Sequence, residues 1–140
     1  MTPRLTLLTW LLVLGSLVTG LGQVWMRYFV DPVDEFSAWN HPWQGTVESL
    51  HVFLAPLLVL GLGYVLSAHA GVKWNFPGTS PGRKRSGGAL IGLIASLVLS
   101  GAWLAAWSFP DGDSIHWIHG ISGGLFGLLF LGHAISRKRL

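Results

Sequence analysis

Four of the chain's six histidines, His51, His69, His119 and His133, fall within or at the ends of long apolar runs. Ionisable side chains are costly in such a setting and usually face a helix bundle or a functional cavity. His51 and His69 stand in an i, i+18 relation, five whole helical turns at about 100° per residue, so both rings are expected on one face. His119 and His133 stand at i, i+14, which leaves them about 40° from alignment. With both runs crossing in the same direction, as the distribution of charge requires, His51 comes level with His119 and His69 with His133. Two imidazoles facing each other across a helical core can fill both axial positions of a haem iron, so two such pairs predict two haems. The separations along the helices, roughly 27 Å and 21 Å, differ by a few Å that tilt or a kink at Pro56 can absorb.

Other residues fit the same chemistry. Gly123 on the stripe of the last run would admit a flat macrocycle, and Phe126 and Phe130 would fill the space between two of them. Arg137, at i+18 from His119, is on the same face and suits the propionates of the inner haem; Arg27 would serve the outer one. Each has a plainer use: transmembrane histidines join helices, glycines pack them, phenylalanines fill a core, and terminal arginines anchor the chain. His41, in Asn-His-Pro-Trp, and His116, about 60° off the face of His119, read as interfacial polar residues. Either can replace a chosen ligand, and His116 is the rival to His119. With Glu48 and the loop acids they can also line a pocket that accepts protons from a quinol.

Composition dictates the elements that hold these residues. The chain has 140 residues, 51% hydrophobic and 11% charged, with a mean hydropathy of +0.53, whereas soluble domains carry about 25% charged residues. That balance points to a membrane protein and away from a water-soluble globule. Cysteine is absent, which removes disulfides, thiolate metal sites, iron-sulfur clusters and covalent C-x-x-C-H haem attachment. Any haem is therefore non-covalent, of the b type. Four apolar runs, Leu5 to Met26 and about 49–68, 88–107 and 115–135, each approach the roughly 20 residues that span a bilayer. The expected fold is all-α, a single four-helix transmembrane bundle over residues 1–140. The first run is too long for a signal peptide and no A-x-A-like site follows it, so it is expected to stay as a helix.

All six acids fall in or beside the first and third loops, and eight of nine basic residues at the termini or in the second loop, with Arg27 the exception. Cytoplasmic loops retain Lys and Arg, so both termini are expected in the cytoplasm. The net charge of +3 therefore reports membrane topology and does not suggest nucleic acid. Trp10, Trp25, Trp39, Trp43, Trp74, Trp107 and Trp117 lie near span ends, where their rings suit the headgroup layer.

With four histidines on two spans, the chain resembles the small four-helix di-haem cytochromes b, including cytochrome b561 and the haem subunits of respiratory formate dehydrogenases and hydrogenases. Ligand pairs on the second and fourth helices, and the i, i+14 spacing of His119 and His133, are closest to the haem-bearing half of cytochrome b in quinol-oxidising bc complexes. That family would repeat i, i+14 where His51 and His69 stand at i, i+18. No Pro-Glu-Trp-Tyr sequence is present, and the first helix lacks the histidine that cytochrome b561 often uses. The resemblance implies a subunit that carries electrons across a bacterial cytoplasmic membrane between two bis-histidine haems. Its partners would be quinone or other redox subunits. The competing classes are a transition-metal or proton transporter with a histidine relay, and a haem-free assembly subunit whose histidines join helices.

Overall fold

A computed structural model describes residues 3–32, 34–37, 39–107 and 114–135. They form α1 (Pro3–Tyr28), α2 (Gln44–Val65), a π-helical turn (Leu66–Ala70), α3 (Gly71–Asn75), α4 (Pro81–Ala106) and α5 (Ser114–Ile135). No strand occurs among the described residues. Four helical segments are long and apolar enough to cross a membrane: Pro3–Tyr28, Gln44–Asn75, Pro81–Ala106 and Ser114–Ile135. The protein is an all-helical, integral, multi-pass membrane protein.

Local chemistry sets the helix ends, and hydropathy alone misses some of them. Pro3 and Pro81 open α1 and α4, where a missing N–H costs nothing because that donor has no intrahelical acceptor. From Pro81, α4 winds through the basic residues 83–85, seven residues ahead of the apolar run that marks it in the sequence. The α2 helix starts five residues early because His41 caps it: the Trp43 N–H donates to His41 Nδ1 at 3.1 Å and the Gln44 N–H to the His41 carbonyl at 3.0 Å. Phe76 ends α3 in an extended conformation, φ −76° and ψ 123°, because a residue before proline is pushed out of the α region.

Pro56 lies inside α2 without ending it. The irregularity in this segment comes later, at Leu66–Ala70, where the Gly71 N–H donates to the Leu66 carbonyl five residues back. Aligning His51 with His69 by about 100° of rotation per residue presumes α geometry throughout. Residues 66–70 wind differently, so that presumption fails just where His69 sits.

The chain divides into two compact units, Met1–Tyr64 and Val65–Leu140. In the first, α1 and α2 run antiparallel: a Cβ added at Gly15 would lie 3.3 Å from Leu54, and one at Gly22 would lie 3.5 Å from Val47. Gly61 meets Leu12 in the same way at 3.0 Å. In the second, α4 and α5 run antiparallel, with Ser86 bonded to His133, Ser96 to Ser122 and Ser100 to His119. Small residues let such helices approach closely in lipid. Few apolar side chains are buried, whereas Leu60, Leu99 and Leu128 are each more than 70% exposed. That distribution suits helices whose outer faces are solvated by acyl chains.

Candidate functional site

Three of the four histidines on the expected stripes are held in one manner. In the first unit, Thr19 Oγ1 lies 3.0 Å from His51 Nδ1. The Thr19 hydroxyl donates to the Gly15 carbonyl at 2.8 Å, and with its proton there its oxygen can accept from His51 Nδ1. In the second unit, Ser100 Oγ lies 2.9 Å from His119 Nδ1 and donates to the Ser96 carbonyl at 2.6 Å. Ser86 Oγ lies 2.8 Å from His133 Nδ1 and donates to the Arg83 carbonyl at 3.2 Å.

With the hydroxyl proton on its carbonyl, each imidazole donates from Nδ1, the tautomer that a histidine ligating through Nε2 needs. The hydroxyl partners were not among the residues singled out from the sequence. A signal existed, since each is followed by glycine: Thr19-Gly20, Ser86-Gly87 and Ser100-Gly101. A Cβ at Gly20 or Gly101 would come within 3.1 Å of Cε1 of His51 or His119, tighter than nearly all real contacts. Ser86 and Ser100 also repeat, on the antiparallel neighbour, the i, i+14 spacing of His119 and His133.

The remaining histidines differ. His41 has the opposite polarity, its Nδ1 accepting from the Trp43 N–H as a helix cap, with its ring 6.0 Å from that of Trp25. His116 is half-buried, and its Nδ1 is fully buried with no hydrogen-bond partner in the protein. His69 is the fourth residue of the π turn and is half-buried.

Along α5, the face bearing His119 and His133 is turned to α4. Ser122 bonds Ser96 at 3.0 Å, and a Cβ at Gly123 would be 3.7 Å from Leu97, an ordinary packing contact. Phe126 is buried and stacks with Phe130, ring centroids 6.0 Å apart. Gly123 and Phe126 therefore contribute to the α4–α5 seam. Arg137 lies outside the described residues.

A second polar seam joins α1 and α2. Thr19, Gln23 and Arg27 follow one another at four-residue intervals on α1, opposite His51, Glu48 and Gln44 on α2. At its end, Asn40 Nδ2 donates to the Arg27 carbonyl at 2.9 Å, and the Asn40 N–H donates to the buried Gln44 Oε1 at 3.0 Å. Among the described residues, no three His, Asp or Glu side chains gather as they would around a small metal ion. Compared with family models, curated proteins and solved structures, the chain matches none.

Proposed function

We propose that this protein is a b-type cytochrome subunit that carries electrons across a bacterial cytoplasmic membrane, with both termini in the cytoplasm. It would exchange those electrons with quinone or a partner redox subunit. The observation that carries the reading is the contact shared by His51, His119 and His133, each with Nδ1 bonded to a hydroxyl on the neighbouring helix. Haem asks the protein for two imidazoles at most, because its porphyrin supplies the other four nitrogens. A small cation needs three or more side chains together, and no such group of His, Asp or Glu occurs among the described residues.

Bound haem supplies the one-electron iron couple. The chain's part is to hold the ligands and exclude water. Thr19, Ser86 and Ser100 fix the imidazole tautomers and ring orientations, which raises the basicity of Nε2. Gly20 and Gly101 let the rings of His51 and His119 lie against a neighbouring helix. Two non-covalent haems per chain are expected, with His51, His69, His119 and His133 as the ligand set. The test is the absorbance spectrum of purified protein with pyridine haemochrome quantification. Sharp reduced bands of low-spin b haem at about two haems per chain are expected. His119→Ala and His133→Ala should each lower the content by about half. A folded preparation without those bands overturns the reading.

A further inference from the structure

The α1–α2 seam holds an acceptor and a donor that the cytochrome reading does not use. Glu48 Oε2 and Gln23 Nε2 are both fully buried and have no hydrogen-bond partner in the protein. They belong to the same stretch of the hairpin: Thr19 bonds His51 at 3.0 Å, Gln23 is one turn further along α1, and Glu48 is one turn back along α2. The contact between Gly22 and Val47 fixes that register. The carboxylate oxygen and the amide N–H do not satisfy each other. Unpaired polar atoms away from water carry a large desolvation cost, so their retention calls for a ligand that completes both.

A hydroxyl on an apolar ring does this. Its proton is donated to Glu48 Oε2, and its oxygen accepts from Gln23 Nε2. The ligand must also partition into the bilayer to reach a helix hairpin. We propose that Gln23 and Glu48 bind the head of a membrane-soluble hydroquinone, one helical turn from His51. This rests on the electron-carrier reading only for the choice of hydroquinone among lipophilic alcohols and phenols.

The test uses the full chain in lipid nanodiscs, chemically reduced beforehand so that no electron transfer follows binding, with duroquinol as the probe. Glu48→Leu and Gln23→Leu should each weaken duroquinol binding at least about tenfold, the effect of losing one desolvated hydrogen bond. Thr46→Leu, at an exposed position on α2, should leave it unchanged. Equal affinity in all three variants overturns the site. The unmodified protein provides a second measurement should the variants fail to fold. Dicyclohexylcarbodiimide should modify Glu48, read by mass spectrometry, and saturating duroquinol should protect it. Modification that duroquinol leaves unchanged overturns the site as well. Haem bands recorded on the same samples separate the two readings: their absence counts against the cytochrome, and their presence with unaltered affinity counts against this site alone.

Discussion

A histidine ligates a metal through a ring nitrogen that carries no proton, so a partner that holds the proton on the other nitrogen favours ligation. At His51, His119 and His133 the Nδ1 partner is a hydroxyl on the neighbouring helix. Ser100 can accept from His119 Nδ1 because its own proton is held by the Ser96 carbonyl, and the same division of labour recurs at Thr19 and Ser86. Ser100→Ala should therefore leave the protein folded but lower haem affinity about 10- to 100-fold, the usual effect of losing an outer-shell partner of a ligand. Ser100→Thr should restore it. Gly101→Ala should be at least as damaging, because its Cβ would press on His119 Cε1, whereas Gly92→Ala and Gly124→Ala meet nothing within 4 Å and should be silent. Haem titration of the apoprotein measures each of these variants. Equal affinity in Ser100→Ala and the unmodified protein would return the Ser100–His119 bond to the role of helix clamp.

At the scale of elements, the two histidine-bearing segments are built differently. His119 and His133 lie on α5, a regular α-helix, so their offset of about 40° follows from residue spacing alone. His69 lies in a π turn, a device found often at functional sites, which holds one residue more than an α-helix would. Deleting Ala68 should convert the turn to α-helix with the flanking helix kept in phase, because the π turn already absorbs the extra residue, so that His69 itself is re-aimed. The expected result is a fall in haem content by about half, with the far-ultraviolet circular dichroism unchanged. Full haem content in the deletion would show that the π turn does not aim His69. Proline's chemistry makes Pro56 the natural place to absorb the mismatch in spacing. The segment also holds the π turn, and no residue type in Leu-Ser-Ala-His-Ala announces one.

At the scale of the whole molecule, the segregation of charge predicts that the segment from Asp31 to Glu48 faces the periplasm and that from Lys73 to Arg85 the cytoplasm. Reporter fusions in the two loops check this, and inverted activities would overturn the orientation. The four crossings, the all-helical class and the exclusion of thiolate chemistry were legible in the sequence by itself, because they depend on composition and on apolar runs about a bilayer long. The histidines, too, stood out by residue type and periodicity, which are local properties. What the tertiary structure decided is who meets them. Thr19 lies 32 residues from His51, Ser100 lies 19 from His119 and Ser86 lies 47 from His133. No local pattern names such partners; they are set when antiparallel helices dock and the register between them is fixed. The same docking buries Gln23 Nε2 and Glu48 Oε2 without a hydrogen-bond partner in the protein. In the sequence these are one polar residue within an apolar run and one acid at the edge of a loop. Only packing one helix against the other turns them into a donor and an acceptor in need of a ligand, because hydrogen-bond satisfaction is a property of pairs of groups in space.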